Sequence, residues 1–154
     1  MPDEKEKPVA GRIIIVDDEA SMRKVLAAVL TGEGYEVRST DDGAEALTLY
    51  ATGQWDLVVE DLKMPKMHGL ELLRRIKAAD PSAMIIVMTA FGTWDSAVEA
   101  MRLGAYDYLK KPCDNDHLRA VVGKAVERKR ASGGAQHAGG PVDSLEEGLL
   151  GKEC

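Results

Sequence analysis

The chain is poor in cysteine: of its 154 residues only Cys113 and Cys154 carry thiols. Cys154 is the last residue, so a stapling disulfide is not expected and a reducing cytoplasm fits best. No apolar run approaches the ~18 residues that a membrane-spanning helix needs. The opening stretch, Met1–Pro8, is charged and lacks the apolar centre of a signal peptide. A basic excess is missing too. The net charge is −6, which argues against a nucleic-acid-binding face, normally visible as a basic patch. The one basic cluster, Lys124 with Glu127–Arg130, closes a predicted helix, where positive charge suits the carboxyl end of the helix dipole. His117 and His137 have no partners at zinc-ligand spacing, and there is no internal repeat. What remains, 45% hydrophobic and 30% charged, is the composition of an ordinary globular domain with tails.

What is present is a regular alternation. After a polar stretch over 1–10, the β-branched run Arg12–Val16 predicts a strand buried on both faces. Met22, Val25, Leu26, Val29 and Leu30 then repeat at helical spacing, up to Gly32 and Gly34. Tyr35–Ser39 reads as a more polar edge strand. Asp42 with Glu45 has the form of a capping box and opens a helix through Ala44, Leu47 and Ala51. Asp56–Val59 is the third strand, and Gly69–Ala79 a helix with Leu72, Leu73 and Ile76 inward. Ala83–Met88 is the fourth strand. In the helix Trp94–Leu103, Ala97, Val98 and Met101 share one stripe. Tyr106–Leu109 is a short fifth strand. Asp114 caps a last helix that faces the core with Leu118, Val121, Val122, Ala125 and Val126. Strands alternating with helices predict an α/β fold, a doubly wound five-stranded parallel sheet covered on both faces. The folded unit spans 11–130. Beyond it, 131–154 has the Gly-rich composition of a flexible linker or tail.

The reactive side chains stand at strand ends. Asp17 and Asp18 follow the first strand, Asp61 the third, Thr89 the fourth and Lys111 the fifth. In an open parallel sheet the carboxyl ends of the strands form the site. Two carboxylates ~4 Å apart repel by ~4 kcal/mol at an effective dielectric of 20, so three acids in one crevice call for a cation or raised pKa values. Mg²⁺ suits an all-oxygen donor set, and Mn²⁺ can take its place. Each residue alone has a plainer reading. Asp17-Asp18-Glu19 is also a good helix start, Asp61 a solvated loop acid, Thr89 a strand residue and Lys111 a surface charge. Only their joint arrangement points to phosphoryl chemistry.

The runs Ile14–Glu19, Asp56–Pro65, Val87–Ala90 and Tyr108–Pro112 resemble the response-regulator receiver domain of two-component signalling, most closely its nitrogen-regulatory class. The resemblance implies a flavodoxin-like receiver fold with strand order 2-1-3-4-5. It implies that Asp61 takes a phosphoryl group from a sensor histidine kinase. Asp17, Asp18, the Asp61 carboxylate and the Lys63 backbone carbonyl would hold Mg²⁺, Thr89 and Lys111 would bind phosphoryl oxygens, and Tyr108 would swing between exposed and buried rotamers. The output would pass through the face of the fourth helix, fifth strand and fifth helix to an effector domain or protein partner, or into a homodimer. Nucleic acid and membrane are not expected partners. The alternative from another class is a Mg²⁺-dependent phosphatase or phosphotransferase with an aspartate nucleophile, which needs a cap that this chain has few residues to build.

Four positions depart from the family pattern. Glu60 stands where an apolar or small residue is usual; alternation turns it to the face opposite Asp61, and a solvated carboxylate is expected there. Lys66 and His68 replace the usual Gly and Asp. Cys113 replaces Phe and reads as a small apolar filler.

Overall fold

The computed structural model describes residues 9–90 and 92–134, with side chains through 132. Five strands, β1 (Gly11–Val16), β2 (Tyr35–Thr40), β3 (Leu57–Glu60), β4 (Ile85–Thr89) and β5 (Asp107–Lys110), alternate with five helices: α1 (Ala20–Gly32), α2 (Gly43–Ala51), α3 (Gly69–Ala79), α4 (Trp94–Arg102) and α5 (Asn115–Gly134). All pairings are parallel and the order is β2-β1-β3-β4-β5, so β1 and β3 adjoin where strand order reverses.

The strands are apolar along their length because both faces are covered. One face packs Ile14, Val16, Val58, Ile85 and Val87 against Ala46 of α2, Leu72, Leu73 and Ile76 of α3, and Ala100 of α4. The other packs Ile13, Ile15, Leu57, Val59 and Ile86 against Leu26 and Leu30 of α1 and Leu118, Val121, Val122, Ala125 and Val126 of α5. Each fully buried aliphatic side chain contributes roughly 1.5–3 kcal/mol. β2, at the edge, exposes Glu36, Arg38 and Ser39, while Tyr35 and Val37 lie half-buried against the second core.

Three expectations are corrected. Asp42 caps α2 by accepting from the Ala44 amide at 2.9 Å, but Glu45 does not complete a box, because its carboxylate accepts a hydrogen bond from the Thr40 hydroxyl instead. The capping box belongs instead to α4, between Thr93 and Ser96. The α4 stripe faces outward: Val98 and Met101 are exposed and Trp94 is 81% exposed, while small Ala100 touches the sheet. Asp114 caps α5 as expected, its carboxylate accepting from the His117 amide at 3.2 Å, and α5 continues to Gly134, past Arg130 where the composition changes. Of the flexible N-terminal segment expected over 1–10, residues 1–8 lie outside the described residues, as does most of the Gly-rich tail.

At the amino ends of the strands a cavity of about 730 Å³ is lined by Tyr50, Trp55, Asp80 and Lys129 among others. Its polar groups satisfy one another: Tyr50 Oη donates to Asp80 at 2.6 Å and Lys129 Nζ at 3.2 Å. Arg12 stacks on Trp55, 4.3 Å from the ring centroid.

Candidate active site at the carboxyl edge of the sheet

The sheet ladder carries each reactive residue to its place. The Asp17 amide donates to the Thr40 carbonyl at 3.1 Å, the Asp61 amide to Val16 at 3.0 Å and the Lys111 amide to Thr89 at 3.0 Å. These bonds fix the backbones one residue beyond the strands and leave the side chains to converge. One carboxylate oxygen from each of Asp17, Asp18 and Asp61 lies within 4.8 Å of the others. Asp17 and Asp61 are buried, and Asp18 is open to solvent.

Lys111 is only 8% exposed. Its Nζ donates to Asp17 Oδ2 at 2.6 Å and Asp61 Oδ2 at 3.0 Å. Burial works to lower the lysine pKa. Bonds from Asp17 and then Asp61, with their charge, outweigh it and hold the ammonium above its ordinary value. The second oxygens find backbone donors: Asp17 Oδ1 accepts from the Glu19 amide at 2.9 Å and Asp61 Oδ1 from the Lys63 amide at 3.2 Å. The Asp17 carboxylate thus shapes the turn into α1, while Glu19, at the N-cap, makes no side-chain cap bond. An all-oxygen cluster with one exposed member is a donor set that fits a hard divalent cation such as Mg²⁺.

Thr89 ends β4 and is fully buried. Tyr108 is half-buried against the α3–α4 side of the core, and its Oη lies 3.0 Å from Ser96 Oγ. A Cβ on Gly92 would overlap that tyrosine hydroxyl, so this rotamer needs glycine there. The Lys111–Pro112 peptide is cis.

Glu60 corrects the sequence reading. It does face away from Asp61, but that face lies under helices, and the residue is 1% exposed. Neither carboxyl oxygen has a hydrogen-bond partner. Burial first, then the charge of Asp61, push its pKa well above the ordinary glutamate value, which favours the protonated form beneath the site. His68 caps α3, its Nδ1 accepting from the Leu70 amide at 3.1 Å. Lys66 is exposed. Cys113 is half-buried beside the α1–α5 core, and burial, then Asp114, push its thiol pKa up, away from reactivity.

Sequence reasoning missed four residues around the site. Arg23 Nη1 donates to the Asp17 carbonyl at 2.7 Å. Gly69 is packed so closely that a Cβ would stand 2.5 Å from the Asp61 carbonyl oxygen. Gly92 and Ser96 hold Tyr108. The one visible signal was the spacing of Arg23, one helical turn into α1 from the acid pair; the others depend on contacts between distant elements.

A parallel sheet in this order, with acids and a lysine at its carboxyl edge, is the architecture of receiver-type signalling domains. The family model for the response regulator receiver domain matches residues 13–123, and the chain belongs to that family of two-component signalling switches. It is 43% identical over 119 residues to the DNA-binding transcriptional regulator NtrC of Rhizobium meliloti, covering 77% of this chain and 25% of that protein. It is 37% identical over 140 residues to the transcriptional regulatory protein ZraR of Escherichia coli, covering 91% and 31%. Among solved structures it resembles a receiver domain protein from Clostridium thermocellum (TM-score 0.74, 32% identity, 79% of this chain and 98% of that one). It also resembles NtrX from Brucella abortus in complex with ADP (TM-score 0.77, 32% identity, 83% and 30%). The chain spans between a quarter and a third of the length of these curated relatives. The likeness is to receivers of the nitrogen-regulatory class. No helix among the described residues is long and apolar enough to cross a membrane.

Proposed function

We propose that the chain is a cytoplasmic phosphorylation switch in which Asp61 accepts a phosphoryl group from a phosphohistidine on a sensor kinase. The observation that carries this reading is the convergence of Asp17, Asp18 and Asp61 with the Lys111 ammonium between two of them. An Asp61 carboxylate oxygen attacks phosphorus, the P–N bond to the donor imidazole breaks, and the leaving nitrogen keeps the electron pair and takes up a proton. Mg²⁺ held by Asp17, Asp18, Asp61 and the Lys63 carbonyl would neutralise charge on the phosphoryl oxygens. Lys111 gives up part of its pairing with Asp61 to bind one of those oxygens, and the Thr89 hydroxyl meets another. Catalysis is positioning and charge stabilisation.

The acyl phosphate adds roughly two negative charges. Thr89 moves toward it, and Tyr108 turns into the space released. The α4–β5–α5 face then changes and engages an effector domain, a partner or a second copy; α4 carries exposed Trp94, Val98 and Met101. Phosphorylation shifts an existing equilibrium only by its different interaction with the two states. Reversing a 99:1 ratio takes ~5.5 kcal/mol.

The test is labelling by acetyl phosphate. With Mg²⁺ the wild-type chain gains one acid-labile phosphoryl group by mass spectrometry, and Asp61→Asn gains none. EDTA blocks the wild-type reaction. Equal labelling of Asp61→Asn would overturn the assignment, and undiminished labelling in chelator would remove the metal.

A further inference from the structure

Arg23 is half-buried in the first turns of α1, at the edge of the sheet that carries the three acids. Among the described residues its one side-chain hydrogen bond is from Nη1 to the Asp17 carbonyl, at 2.7 Å. Among the described residues it pairs with no carboxylate, although the residue whose carbonyl it holds, Asp17, is itself one of the three acids. A guanidinium offers five N–H donors in a planar fork that matches phosphoryl oxygens, and four of these remain. The Lys111 ammonium is already shared between Asp17 and Asp61.

Formal charge shows what Arg23 contributes. Three carboxylates against one ammonium leave the site at −2. A divalent cation brings it only to neutrality, and a phosphodonor arrives as an anion. With Arg23 counted, the loaded site is positive by one unit. We propose that Arg23 is a phosphodonor-binding residue: anchored on the Asp17 carbonyl, its guanidinium receives the anionic phosphoryl group at the rim of the acidic site. This deepens the switch reading and rests on it.

The proposal makes two quantities move in opposite directions. Removing a positive charge near the acids strengthens binding of a cation and weakens binding of an anion. In Arg23→Gln, Mg²⁺ affinity measured by calorimetry with Mg²⁺ alone should rise severalfold, because a like charge beside the cation site has been removed. The second-order rate of labelling by acetyl phosphate at saturating Mg²⁺ should fall by about tenfold, through weaker dependence on donor concentration. Arg23→Lys keeps the charge and should recover most of both values. A residue that only braces the Asp17 loop would weaken both on removal, and lysine would not rescue them. The proposal is overturned if Arg23→Gln, with an unchanged melting temperature, binds Mg²⁺ no more tightly or takes label at the wild-type rate. A failed switch reading shows separately, as a wild-type chain that takes up no phosphoryl group, and that result overturns both.

Discussion

Substituting Glu60 by glutamine tests how the neutral carboxyl beneath the site governs stability. An unfolded glutamate titrates near 4.5, whereas the folded side chain, 1% exposed and without a hydrogen-bond partner, keeps its proton to well above that value. Between those two pH values the folded state binds one more proton than the unfolded chain. Stability from this group is therefore greatest below pH 4.5 and falls by about 1.4 kcal/mol per pH unit as pH rises, until the folded carboxyl itself ionises. From pH 4.5 to pH 7 the accumulated loss is at most about 3.4 kcal/mol. Glutamine has the same shape and no proton to lose. Its buried amide is as unpartnered as the neutral acid, so the two proteins should match near pH 4.5 and diverge above it, the variant gaining up to about 3 kcal/mol by pH 7. Urea unfolding of both chains at pH 5, 6, 7 and 8, without Mg²⁺, measures the difference between two chains that otherwise carry the same titrating groups. Parallel stability–pH curves would refute the reasoning. They would mean that Glu60 finds a partner or ionises in place.

Other outcomes follow from the same geometry. Lys111→Met leaves two buried carboxylates without their shared cation and should destabilise the metal-free chain by about 3 kcal/mol, with a larger thermal recovery on adding Mg²⁺ than in wild type; equal recovery would count against the bridge. Because the folded Lys111 pKa is raised, its contribution is complete below the ordinary lysine value of 10.5 and is lost only as pH climbs through the folded value, so wild type and Lys111→Met should converge above that point in alkaline unfolding. Gly69→Ala forces the Asp61 backbone away and should cost about 1–3 kcal/mol of stability together with a slower labelling rate; labelling at the wild-type rate would show that the loop yields elsewhere. For Asp80, burial acts to raise the pKa, but bonds from Tyr50, Ser82 and Lys129 outweigh it and bring it to about 2. Its stabilisation is present above 3.8 and lost as pH falls toward 2, and Tyr50→Phe should shallow that acid-side loss in circular-dichroism titrations.

The sheet and its helices were legible because buried parallel strands are continuous apolar runs, and Ile13–Val16 and Ile85–Met88 have no other economical reading. The acids and Lys111 were legible because each follows such a run. The rest depended on partners distant in sequence. Alternation placed Glu60 opposite Asp61 correctly, but solvent was the wrong inference for a face that α2, α3 and α4 cover. Glu45 had the spacing of a capping box and was drawn instead to Thr40. The α4 stripe had helical period but not direction, since a contact made through Ala100 turns Val98 and Met101 outward. Gly69 and Gly92 matter only because of what presses against them, Asp61 in one case and Tyr108 in the other.

The pairing of Tyr108 with Ser96 bears on how α4 can travel. The serine oxygen already accepts the Thr93 amide at 2.8 Å and donates to the Thr93 carbonyl at 2.9 Å; with its single proton committed, the tyrosine must be the donor. Departure of the ring then forfeits one neutral hydrogen bond, about 1 kcal/mol net, and leaves the winding of the first turn intact. The rod is unhitched from the ring without being frayed at its first turn.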